Sequence, residues 1–221
     1  MNHYRVVDLG KMEYKQAWEM QLYYAEQLLE GGPETLIFVE HEPVYTLGAN
    51  FHAENMAMPL EFYTDKGISI ERTDRGGDVT YHGPGQLTIY PIFSIEKRGK
   101  DLHKWLRDLE EVVLTVLRNE GFEGYRFPPH TGAWIDGKKV AAIGIKAKRW
   151  VNIHGIGFNI NNDLEPFRWI IPCGIKEYGV TNLQQILGRE VSLEEAKSLV
   201  CKAFEEVFEL TKLGHSNETK A

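Results

Sequence analysis

Hydrophobic positions change period several times along the chain, and the changes mark its elements. Between residues 12 and 30, Tyr14, Trp18, Leu22, Ala25 and Leu29 recur at three- and four-residue steps, the spacing of one helix face, and Gly31, Gly32 and Pro33 end the run. Leu102, Trp105, Leu106, Leu109, Val113, Val116 and Leu117 predict a second amphipathic helix, closed by Gly121. Ser192 with Glu195 three residues later is a capping box, and Ala196, Leu199, Val200, Ala203, Phe204 and Val207 carry a third helix beyond it. All three stripes are expected to face the core.

Strand-like runs occupy residues 36–39, 68–71, 87–93, 132–135, 139–147 and 153–160, with Asp136-Gly137 as a two-residue hairpin signal between the fourth and fifth. Helices at both ends and strands between predict an α+β class, a mixed β-sheet covered by helices. No linker or repeat interrupts the pattern, so residues 1–213 read as one catalytic-size domain and 214–221 as a polar C-terminal tail.

Composition narrows the possibilities. No apolar run approaches the ~18 residues of a membrane span and the N-terminus lacks a basic, apolar leader, so the expectation is a cytoplasmic protein with no membrane association. Two cysteines, Cys173 and Cys201, are too few for a disulfide framework or a four-cysteine zinc site. A formal charge of -7 disfavours nucleic acid as a partner.

The chemistry-bearing residues cluster in four places. Residues 75–86, RGGDVTYHGPGQ, hold four glycines, which let backbone approach a ligand or simply make a tight turn. Cys173 lies between Pro172 and Gly174 outside any helical stripe, whereas Cys201 falls among the core positions of the third helix and reads as structural. A loop thiol needs an activating partner. Strand alternation puts Lys139 on one face with Ala141, Ile143, Ile145 and Ala147, and Lys146 with Lys148 on the other. An ammonium on an apolar face would favour a neighbouring thiolate, or it would snorkel out at the strand end. Gly155 and Gly157 share a face opposite His154, Ile156 and Phe158, leaving room beside the backbone.

Taken in order, HEPVYTLG (41–48), RGGDVTYHGPGQ (75–86), KVAAIG (139–144), HGIGFNI (154–160) and IIPCGI followed by VTNL (180–183) resemble the lipoyl(octanoyl) transferases of lipoate biosynthesis. The resemblance implies the single-domain fold of biotin and lipoate protein ligases. It also implies Cys173 as nucleophile and Lys139, not Lys138, as its activator. Acyl-substrate binding would carry over onto Arg75, Gly76, Gly77, Asp78, Val79, Thr80, Tyr81 and His82, onto Ala142, Ile143 and Gly144, and onto Gly155, Ile156 and Gly157. The implied partners are octanoyl-acyl carrier protein and the lipoyl domains of 2-oxoacid dehydrogenases or the glycine cleavage H protein; neither ATP nor a metal is expected. An ATP-dependent ligase of the same fold, which needs no cysteine, and a non-catalytic acyl-binding relative are the rival readings. The basic residues Lys138, Lys139, Lys146, Lys148 and Arg149 are expected to favour acidic partners near the catalytic lysine.

Overall fold

Among the described residues, period-two segments pair into two sheets. The computed structural model describes residues 2–171 and 179–213; Cys173 and the tail after Leu213 lie outside them. In chain order the elements are β1 (Asn2–Met12), α1 (Tyr14–Leu29), β2 (Glu34–His41), β3 (Val44–Leu47), α2 (Leu60–Asp65), β4 (Ser69–Arg72), β5 (Val79–His82), β6 (Gln86–Ile92), α3 (Leu102–Asn119), β7 (Tyr125–Phe127), β8 (His130–Ile135), β9 (Lys138–Lys148), β10 (Val151–Asn159), β11 (Gly179–Val180), α4 (Leu183–Leu187), α5 (Leu193–Phe208) and β12 (Leu210–Lys212).

Among the described residues the main sheet runs β12-β1-β2-β6-β10-β9-β8-β7, with β11 added beside β9, and β4-β3-β5 form a smaller second sheet. The sheet is mixed: β1 pairs in parallel with β2 and β12, while β6, β10, β9 and β8 are antiparallel neighbours. Alternation along β6 sends Leu87 and Ile89 into the larger core under α3 and α5, and Tyr90 and Ile92 into a second core under α1. A third cluster, built on Tyr45, Tyr63, Tyr81 and Phe167, belongs to the small sheet.

Local signals hold where they rest on backbone chemistry. Asp136 (φ 48°) and Gly137 (φ 73°) are both left-handed, as a type I′ hairpin turn between β8 and β9 requires. The Ser192 hydroxyl accepts the Glu195 N–H at 3.1 Å and starts α5. The α1 stripe needs correction. Tyr14 and Ala25 are buried, but Leu22 is exposed, and the inward face is Tyr14, Ala17, Gln21, Tyr24, Ala25 and Leu28. The helix is rotated because it covers polar as well as apolar surface, and Gln21 is drawn inward by the backbone of β10.

One buried carboxylate joins α3 to the strand beside β9. Glu110 is fully buried; Oε1 accepts the Gly132 N–H at 3.0 Å, and Oε2 accepts from Arg107 at 2.6 Å and Arg126 at 3.1 Å. Removing its charge takes from Arg107 its carboxylate partner and leaves Arg126 with Glu111 alone, so Glu110→Gln is expected to cost about 2 kcal/mol. Urea denaturation should show a lower midpoint at unchanged slope.

Candidate active site

A cavity of about 270 Å³ opens between the two sheets, close to the lower end of small-molecule sites at ~300 Å³. One wall is the main-sheet face carrying Ala142 and Gly144 of β9 and Gly155 and Gly157 of β10, paired Gly155 to Gly144 and Gly157 to Ala142. Four positions with little or no side chain leave a trough in the sheet surface. The opposite wall is the segment from Arg75 to Thr80. Gly144 must be glycine: a Cβ there would stand 2.7 Å from the Gly76 carbonyl oxygen.

Of the fourteen positions expected to bind substrate, thirteen line this cavity. Tyr81 does not. Alternation along β5 turns its ring away into the small-sheet core, 5.5 Å from Tyr45 and 5.6 Å from Phe167 between ring centroids. Arg75 is buried with its guanidinium bonded to Thr46 O and Oγ1, Gly76 O and Asp78 O, so it builds the loop. Asp78 accepts from the Val79 and His52 N–H groups and from the Asn55 amide. The Asn55 carbonyl in turn accepts the N–H of Ile171, the last described residue before Cys173.

Lys139 lines the cavity and is 7% exposed, although the alternation that singled it out does not hold. Between the pairs Trp134–Lys139 and Ala133–Ala141, β9 advances two residues while β8 advances one. The extra residue is a bulge that breaks the alternation between Lys139 and Ala141, and Ala141 packs in the main core with Val140. The Lys139 ammonium sits 4.9 Å above the Trp134 ring. Gly132 (φ 131°) makes room for it, since a Cβ there would meet Ala141 O at 2.5 Å and Lys139 Cε at 3.4 Å. β11 pairs Gly179 with Lys138 and Val180 with Lys139, so the chain returns from the Cys173 segment directly beside this lysine. His130 also lines the cavity, held below its ordinary range by burial and by the positive charge of Lys139.

The deeper polar residues were not legible as a group. His41 donates Nδ1–H to Met12 O at 3.1 Å and accepts the Tyr90 hydroxyl at Nε2, 2.8 Å. His82 faces Gln86 Oε1 at 2.7 Å. His154, expected to share a face with Ile156, has φ 62°; the left-handed backbone turns its ring toward α1, where Nδ1 lies 3.2 Å from the Tyr14 hydroxyl, and Nε2 lies 2.7 Å from Asp74. Tyr14 thus lines the cavity as well as packing in the core. Cys201 is half-buried against the main core, with its thiol pushed up by burial, in keeping with a structural role. Lys146 and Lys148 are exposed, but seven residues of strand put Lys146 about 23 Å from Lys139, beyond the Arg75 loop and not beside the lysine.

Two walls with a buried lysine at one end sit on a fold shared with lipoate and biotin ligases. A bipartite lipoate protein ligase from Thermoplasma acidophilum, studied with its E2 lipoyl domain, superposes with TM-score 0.76 at 17% identity over 97% of this chain and 87% of its own. Biotin protein ligase from Aquifex aeolicus gives 0.53 at 16% identity over 93% and 68%. Residues 13–205 match the model of the lipoyl protein ligase A/B catalytic domain, and the chain belongs to that family. Octanoyltransferases from Rubrobacter xylanophilus (45% identity over 90% of both chains) and Geobacter metallireducens (44%, over 89% of this chain and 90% of the relative) are among its similar relatives, which makes it an acyltransferase of this family.

Burial pulls His41 from its ordinary 6.5 down to about 4. The unfolded chain therefore binds this proton first as pH falls, so the stabilisation is complete above pH 6.5 and drains away towards pH 4. Urea midpoints measured at about pH 7 and about pH 4.5 should fall less steeply in His41→Gln than in the parent.

Proposed function

We propose that this protein transfers an octanoyl group from octanoyl-acyl carrier protein to a lysine of a lipoyl domain through a thioester on Cys173. The observation that carries the reading is the buried Lys139 at one end of a cavity sized for one acyl chain, flanked by β11, where the chain re-enters from the Cys173 segment. In the first step the Cys173 thiolate attacks the donor's carbonyl carbon; a new S–C bond forms, the donor's S–C bond breaks, and the departing thiolate takes up the proton that left Cys173. In the second, the neutral amine of the acceptor lysine attacks the same carbon. An amide N–C bond forms, the Cys173 S–C bond breaks, and the amine's proton returns to the cysteine. No electron is gained or lost overall.

Lys139 favours the thiolate by charge, because an ammonium beside a thiol stabilises its ionised form. Splitting the reaction through a covalent intermediate lets one cavity serve donor and acceptor in turn. Burying ~6 methylenes contributes about 5 kcal/mol towards holding the chain in place.

Incubation with octanoyl-acyl carrier protein, without ATP, should add the mass of one octanoyl group. The adduct should vanish in Cys173→Ala and persist in Cys201→Ala. A requirement for ATP would instead identify a ligase, and binding without an adduct a carrier of acyl chains. Lys139→Ala should slow acylation at least tenfold, about 1.4 kcal/mol of barrier, and should move the pH profile of Cys173 alkylation upward. Lys138→Ala, at an exposed position, should do neither.

A further inference from the structure

The loop that walls the cavity is attached to both sheets, and the two attachments differ in kind. Towards the small sheet it is tied many times over: Arg75 to Thr46, Ala49 N–H to Arg75 O, Asn50 N–H to Gly77 O, Gly48 N–H to Asp78 O. Towards the main sheet it makes the Gly76 N–H to Ile145 O bond at 2.9 Å and the Asp74 contact to His154 at 2.7 Å. His154 is well fixed for this task. It is 1% exposed, its N–H donates to Gln21 Oε1 at 2.7 Å, its carbonyl accepts from Asn152 at 3.1 Å, and its ring lies 5.4 Å from that of Trp18.

We propose that Asp74 is a positioning residue: through His154 it fixes the separation of the two cavity walls, and so sets which acyl chain length the site accepts. The proposal rests on the acyl-transfer reading above, and adds to it a determinant of chain length outside the residues that touch the reacting carbon.

The hydrogen-bond chemistry is consistent along the whole line. Burial keeps His154 below its ordinary range and therefore neutral, and its hydrogen bond holds the Asp74 carboxyl ionised. A neutral imidazole that donates Nε2–H to a carboxylate has its lone pair on Nδ1. The Tyr14 hydroxyl, kept protonated by burial, donates to that lone pair from the cavity wall. The tether thus runs from the loop to α1, with the left-handed His154 as its middle link.

Asp74 is the position to vary, because its side chain is 45% exposed and its loss leaves the cores intact. In Asp74→Ala the KM for octanoyl-acyl carrier protein should rise about tenfold, the worth of one hydrogen bond to a charged group, with kcat little changed. The preference for octanoyl over dodecanoyl thioesters should shrink in the same variant. Asp74→Asn, whose amide oxygen can still accept Nε2–H, should restore both. Amide exchange adds a readout independent of catalysis: Gly76 N–H should exchange faster in Asp74→Ala and at the parent rate in Asp74→Asn. Unchanged chain-length preference and unchanged Gly76 exchange in Asp74→Ala would overturn the proposal, as would an Asp74→Asn variant as impaired as Asp74→Ala. If the parent protein takes up no acyl group, the transfer reading fails, while the exchange comparison still decides whether the tether exists.

Discussion

An apolar gap between two sheets closes unless something stiffer than side chains holds it open. Free energy falls whenever such surfaces meet and release water, by roughly 25 cal/mol per Å², so a cavity of this kind persists only where backbone and fixed polar groups prop it. Here the props are the Gly76 carbonyl resting on Gly144, the Arg75 guanidinium clamped to Thr46, and the buried histidines with their hydrogen-bonded partners. The glycines of β9 and β10 make the trough; the polar loop keeps it from being filled. Each prop alone is worth little, and their combination decides the width.

The same constraint explains where charge is tolerated. An ammonium with little exposure needs compensation, and Lys139 finds part of it in the face of Trp134. The bulge in β9 delivers that side chain to the cavity while Val140 and Ala141 continue into the core. Glu110 works on the neighbouring strand, holding the Gly132 N–H and with it the open space the lysine stem passes through.

Much of the architecture could be read from periodicity because those segments obey local rules: the α3 stripe from Trp105 onward (Leu102, at the helix start, is exposed), the α5 stripe, the capping box at Ser192 and the Asp136-Gly137 turn depend on near neighbours. What escaped reading depends on distant ones. Alternation named Lys139 for a reason the β9 bulge removes. It assigned His154 to a face that its left-handed backbone abandons. Tyr14 looked like one more core residue of an amphipathic helix, and its hydroxyl's partner is 140 residues away. Tyr81 sat inside a contiguous motif, yet a strand shows its two faces to different surroundings, so the motif could not all face one cavity. Leu22 followed the helical period, but α1 turned to satisfy the β10 backbone with Gln21.

β1 pairs in parallel with β12, Asn2 with Leu210 through Tyr4 with Lys212. A strand made at residues 2–12 therefore waits for residues 210–212 before its outer rim is covered. Throughout synthesis that rim offers unpaired N–H and C=O groups, which are a template for strands of other nascent chains. Protection of that rim is thus tied to the emergence of β12, and premature termination ahead of residue 210 would release a molecule with a sticky flank.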